Sequence, residues 1–110
     1  MAATKISTAR EIWPTRLKEA RLAAGLSQRE LGVAAGIDAG VASTRVNRYE
    51  LGVHSADYQI AGQLAKVLHV PVAYLYCDDD ELAALLVALH RAPTAARRQL
   101  IRQMLQQMQS

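Results

Sequence analysis

Two glycines and a capping pair between Arg21 and Asp38 constrain the fold of this 110-residue chain more than any other feature. In the stretch RLAAGLSQRELGVAAGID, Gly25 and Gly36 each follow a run of helix formers. Glycine enters the left-handed conformation that closes a helix at little cost, so the segment reads as helix, Gly25, helix, Gly36, helix. Ser27 is placed as an N-cap, and Glu30 three residues later completes a capping box in which each side chain satisfies an orphan amide of the other. Gly32, Ala34, Ala35 and Gly36 supply the small residues that two short helices need in order to meet closely.

Composition extends this local reading to the whole chain. With 51% hydrophobic and 21% charged residues the chain suits one compact domain, and the absence of Phe with only three Pro favours helices. The expectation is an all-α protein. Cys77 is the sole cysteine, which excludes an intrachain disulfide or a multi-cysteine metal site and predicts a reducing, cytoplasmic setting. The N-terminus lacks a continuous apolar h-region, and no long apolar run predicts membrane insertion. The net charge is +3, and the excess falls before residue 78, where nine Lys/Arg face six Asp/Glu; beyond it there are four of each.

The coarse organisation is an N-terminal arm over 1–13, a helical domain over 14–77 and a helical extension over 78–110. Pro14 suits the first turn of a helix reaching Gly25, with Leu17, Ala20 and Ala24 on one face. The second helix runs from Gln28 to about Ala35 and buries Leu31 with Ala34 or Ala35. Asp38 offers an N-cap for a third over Ala39 to Leu51, ended by Gly52. Ile60, Ala61, Leu64, Ala65 and Leu68 recur at helical spacing in a fourth, and Pro71 can start a short fifth. The acidic run Asp78 to Glu81 precedes a sixth helix with Leu82, Leu85, Leu86 and Leu89 on its stripe, where those charges complement the positive end of the helix dipole. A last helix after Pro93 and Thr94 carries Leu100, Ile101, Met104, Leu105 and Met108.

Arg21 to Leu31, Gly36, the run Arg45 to Glu50 and Gly52, followed by LAKVLHVPVAYLY over 64–76, resemble the lambda-repressor-like, Cro/Xre-type DNA-binding domain. The resemblance spans roughly residues 15–76. It implies a five-helix DNA-binding domain followed by one or two C-terminal helices, with the third helix in the major groove of duplex DNA. This chain departs from the usual spacing between Gly36 and Glu50 by about four residues, roughly one helical turn. The surplus lies within IDAGVASTRVN and lengthens either the start of the third helix or the loop before it.

Candidate DNA-binding residues follow from this alignment and from general chemistry. Ser27 and Gln28 stand at an amide-rich helix start that attracts phosphate, and the resemblance implies that Gln28 meets the DNA backbone or a nearby base. Ser43, Thr44 and Arg45 fall where the resemblance implies groove-facing side chains, although Ser43 and Thr44 could equally cap a helix. Val46 takes the buried aliphatic position and Asn47 the small polar position that meets phosphate. Arg48, three residues from Arg45, shares a side of the helix with it, and the planar fork of arginine suits guanine or phosphate. His54, just past Gly52, lies where the loop can meet the DNA backbone, the plain alternative being an exposed surface histidine. Arg21 and Glu50 are expected to form a structural ion pair. Tyr49 is expected to pack rather than stack on a base, and Trp13 to sit in the peripheral core or to dock the arm.

Other chemistry finds no support in the sequence. Cys77, His69 and His90 lack metal-ligand spacing, the acidic run lacks the turn glycine of a calcium loop, and no nucleophilic triad or phosphate loop occurs. No enzyme activity, metal or cofactor is therefore expected. The terminal stripe Leu100, Ile101, Met104, Leu105 and Met108 could fold back on its own domain or mate with a second subunit, and a homodimer reading paired half-sites is the expectation. The function so implied is a sequence-specific transcriptional regulator, more often a repressor. Its rivals are an antitoxin-like protein that also binds a partner protein through 78–110, and an interaction module without specific DNA binding.

Overall fold

Side-chain caps begin three of the helices in the computed structural model, which describes residues 9–109. Among the described residues there are seven helices: α1 (Ala9–Ala23), α2 (Gln28–Ala34), α3 (Ala42–Glu50), α4 (Tyr58–Leu68), α5 (Val72–Leu75), α6 (Asp80–Arg91) and α7 (Thr94–Gln109). The all-α expectation holds.

The first helix begins earlier than its sequence suggests. Pro14 lies inside α1 rather than at its start, so the arm expected over 1–13 is helical from Ala9 onward, and its earlier part lies outside the described residues. An internal proline forfeits one backbone bond and normally breaks a helix. Here the surrounding turn is held by tertiary contacts, because Trp13 and Leu17 are both buried and the Trp13 ring meets Tyr49 edge to face at 5.9 Å. Leu17 and Ala20 join the core as expected, but Ala24 lies past the end of α1 and is exposed.

Between α1 and α2 the capping box is complete. Glu30 N donates to Ser27 Oγ at 2.9 Å and Ser27 N donates to Glu30 Oε1 at 2.8 Å. Leu31 and Gly32 are buried, and Ala35 rather than Ala34 turns inward. Gly36, at φ +92°, then closes the helix as Ile37 N returns to Gly32 O at 2.9 Å.

The third helix is shorter than expected, starting at Ala42 and not at Ala39. Asp38 does not cap it. Its Oδ2 accepts from Gly40 N at 3.1 Å, closing a turn, while the N-cap residue Val41 makes no side-chain bond. Aspartate competes for backbone amides in this way, and Gly40 is a poor helix residue, so the surplus residues form loop and not an extra helical turn.

Downstream, Asp57 Oδ1 caps α4 by accepting from Ile60 N at 2.8 Å, and Asp79 Oδ1 caps α6 by accepting from Leu82 N at 2.9 Å. Leu17, Leu31, Val46, Leu64, Leu68 and Leu75 form the fully buried centre, drawn from the first five helices. Each such side chain contributes about 1.5–3 kcal/mol by leaving water. On α6, Ala83 is buried and Val87 packs against the core, whereas the expected leucine stripe is displaced: Leu82 and Leu85 are exposed. None of the residues of α7 is buried, so this helix does not fold back on the domain, and the whole measures 53 × 32 × 24 Å.

Candidate nucleic-acid interface

The α3 sequence ASTRVNRYE divides cleanly by face. Ala42, Val46 and Tyr49 point inward, while Ser43, Thr44, Asn47 and Arg48 are exposed on the opposite side. The close approach of α2 fixes how far α3 stands out. A Cβ on Gly32 would lie 2.8 Å from Ala42 Cβ, so no larger residue fits between the two helices without moving one of them.

Polar contacts at the other end of α3 fix its direction. Arg21 Nε donates to Glu50 Oε2 at 2.6 Å and Nη2 donates to Oε1 at 3.1 Å, a two-pronged ion pair with the Glu50 side chain only 3% exposed. The remaining arginine nitrogen, Nη1, donates to Leu26 O at 2.9 Å, so one guanidinium joins α1, the turn before α2 and the end of α3. The Arg21 pKa is raised, chiefly by the hydrogen bonds to Glu50, which keeps the guanidinium charged. The expected structural ion pair is therefore present.

Gln28 belongs to the same cluster. Its Nε2 donates to Asn47 Oδ1 and to Glu50 Oε1, both at 3.1 Å. Two of the sequence-derived candidates are thus brought together, and Gln28 is already engaged in orienting α3. Ser27 uses its hydroxyl oxygen as the α2 cap. The capping bonds from Ser27 lower the pKa of Glu30.

Arg45 and Arg48 part company despite their spacing. Arg48 is exposed, whereas Arg45 is half-buried: its Nη2 donates to Tyr49 Oη at 2.6 Å and its guanidinium lies 5.8 Å from the centre of that ring. The i, i+4 relation of Arg45 to Tyr49 is the sequence signal for this contact. Tyr49 itself is buried against Trp13, as expected of a packing residue. His54 sits exposed in the loop after α3, where Gly52 at φ +74° reverses the chain and Val53 N donates to Arg48 O at 3.0 Å. Ser43 and Thr44 make no cap, since α3 starts at Ala42. The exposed set is therefore Ser27, Ser43, Thr44, Asn47, Arg48 and His54, with Gln28 at its edge.

Sequence reasoning missed Arg16. This residue is buried, donating from Nε to Cys77 O at 2.9 Å and from Nη2 to Asp80 Oδ1 at 3.0 Å, with its guanidinium 5.5 Å from the Tyr74 ring centre. Burial, followed by the charge of Glu19, pushes the Tyr74 hydroxyl pKa up. At the far end of α6, Arg91 Nε donates to His69 O at 3.0 Å. His69 holds a left-handed conformation, φ 56°, that ends α4. Among the described residues no cluster of His, Cys, Asp and Glu could hold a metal ion, and no helix is long and apolar enough to cross a membrane.

Comparison with known proteins adds two findings. The sequence matches the profile of the Helix-turn-helix family over residues 17–75. The structure is similar to the crystal structure of transcriptional regulator BswR, with 45% sequence identity, a TM-score of 0.75, and coverage of 84% of this chain and 92% of that one. A search of curated proteins found no match.

Proposed function

This chain belongs to the Helix-turn-helix family, in its lambda-repressor-like, Cro/Xre-type form, and from that membership we propose that it is a DNA-binding transcriptional regulator acting on a specific operator. In this reading it binds in the cytoplasm as a homodimer, places α3 in the major groove and represses by occupying a promoter. No enzymatic step and no cofactor enters this reading.

The carrying observation is the exposed row Ser43, Thr44, Asn47 and Arg48 on a helix whose angle is locked at Gly32–Ala42 and at Arg21–Glu50. A rigid rod with one polar, cationic face is what a groove about 12 Å wide can admit. Arg48 is assigned to a base edge. Asn47, Gln28, Ser27 and His54 are assigned to phosphate, and Ser43 and Thr44 to the groove. Arg45 would leave Tyr49 to reach the duplex. Arg21 and Glu50 position α3 and do not touch DNA.

The uncovered face of α7 supports a second reading, in which Leu100, Ile101, Met104, Leu105 and Met108 bind a partner protein as an antitoxin would. Selection from a randomised duplex pool at stated salt tests the first reading. The expected outcome is a two-fold-related sequence with half-site centres about 34 Å apart. Arg48→Ala should relax preference at one base position by about 1–3 kcal/mol, whereas losing a phosphate contact weakens all sequences alike. A pool without any enriched sequence would overturn the reading in favour of an interaction module.

A further inference from the structure

The apolar stripe of α7 finds no cover among the described residues. Leu100, Ile101, Leu105 and Met108 are exposed, the last to 77%, and Met104 is half-exposed. Most helical stability in proteins comes from packing of an amphipathic face, and α7, 16 residues long, carries such a face unpacked. Five such side chains make a patch of several hundred Å², at the upper end of what monomers expose. Two copies face to face would bury about twice that, close to the ~1,000 Å² of a specific interface.

The charges on α7 say how two copies would meet. Its sequence TAARRQLIRQMLQQMQ contains Arg97, Arg98 and Arg102 in the first part, no acidic residue, and no charge after Arg102. At about 100° per residue, Arg97 lies in line with Leu100, Met104 and Met108, at the N-terminal end of the stripe. In a parallel pair Arg97 would face Arg97 on the seam and Arg98 would stand beside Arg98. In an antiparallel pair centred on Met104 the two copies of Arg97 are about 20 Å apart along the axis, at 1.5 Å per residue. That is roughly twice the screening length of about 8–10 Å at moderate salt. Arg102 of each helix then stands opposite Gln106 of the other, Arg97 lies beyond the other's last helical residue, and the helix dipoles oppose.

Resting on the dimeric DNA-binding reading above, we propose that α7 pairs antiparallel with α7 of a second copy, Met104 opposite Met104 and Leu100 opposite Met108. The same centre of symmetry serves both contacts. Each copy's α7 enters the pair from the opposite end of a rod about 24 Å long, so the two domains attach at opposite ends of it.

Cysteine cross-linking in the full chain tests this orientation, in a Cys77→Ser background that removes the native thiol. Under mild oxidation Met104→Cys is expected to give disulfide-linked dimers by itself. Leu100→Cys and Met108→Cys should each stay largely monomeric on a non-reducing gel, and mixing the two should give dimers. Self-linking of Leu100→Cys and of Met108→Cys, without a gain on mixing, would overturn the proposal in favour of a parallel pair. A chain that sediments as a monomer across the concentrations used would overturn it in favour of a different partner on α7. Duplex binding by fluorescence anisotropy is measured on the same samples. Loss of specific binding with the antiparallel links intact would strike the DNA-binding reading alone, and specific binding with no links would strike this proposal alone.

Discussion

Arg21 and Glu50 are joined by two hydrogen bonds of 2.6 and 3.1 Å although they stand far apart in sequence on α1 and α3. Removing one partner leaves the other charge in a site with little water, and for buried pairs this costs about 3–5 kcal/mol. Glu50→Ala should therefore lower the urea midpoint substantially, and it also removes one of the two acceptors that hold Gln28. The double variant Arg21→Met, Glu50→Leu should cost clearly less than the two single changes added, because neither charge remains stranded. Strict additivity would show that the two residues are energetically uncoupled.

Gly32 and Gly62 make a matched pair of helix glycines with opposite expectations. A methyl on Gly32 meets Ala42 Cβ at 2.8 Å, while one on Gly62 meets nothing within 4 Å. Gly62→Ala should stabilise by about 0.5–1 kcal/mol through reduced freedom of the unfolded chain. Gly32→Ala should destabilise by about 1–3 kcal/mol and shift α3 away from α2. Thermal melts compare the two directly. A stabilised Gly32→Ala variant would mean that α2 and α3 separate easily, undermining the fixed angle assigned to α3.

Acid sensitivity should reside partly in the α2 capping box. The bonds from Ser27 depress Glu30 below the ordinary glutamate value of 4.5. A depressed carboxylate contributes stability that is present above its unfolded pKa and lost as pH falls through the folded one. Glu30→Gln preserves the geometry of the box but cannot titrate. The fall in melting temperature between about pH 6 and pH 3 should be smaller in this variant than in the parent. An equal fall in both would place the acid response elsewhere.

These contacts also mark what could be read in the sequence. Ser27 with Glu30 was legible because a cap acts over three residues, within reach of any local pattern, whereas the caps at Asp57 and Asp79 went unread although they act over the same span. Asp38 misled because an aspartate before a helix can cap it or close a turn, and Gly40, which bonds to it, decided for the turn. Pro14 misled because local preference gave way to the burial of Trp13 and Leu17 on either side of it. On α3, Val46 and Tyr49 were placed correctly inward, but the sideways fold of Arg45 onto Tyr49 separated two arginines whose spacing had suggested a common face. The link from Gln28 to Asn47 and Glu50 was out of reach, since its partners come together only when α2 meets α3.

Arg16 and Asp80, 64 residues apart, carry the least legible contact, and it leads to a prediction about α6. Asp79, not Asp80, caps this helix, so Asp80→Asn removes the ionic anchor without touching the cap. Arg16 keeps its bond to Cys77 O and its place over Tyr74, so the core should survive. The Asp80 side chain is 37% exposed and water can partly replace it, which limits the expected loss to about 1–2 kcal/mol, below that of a fully buried pair. That loss should appear locally. Amide exchange in α6 should quicken while α4, which holds Leu64 and Leu68, keeps its protection. Arg91→Ala frees the other end of α6 from His69 O, and combining it with Asp80→Asn should raise exchange through α6 further than either change alone. Unchanged exchange in the double variant would show that Ala83 and Val87 suffice to hold α6, and through it α7, to the domain.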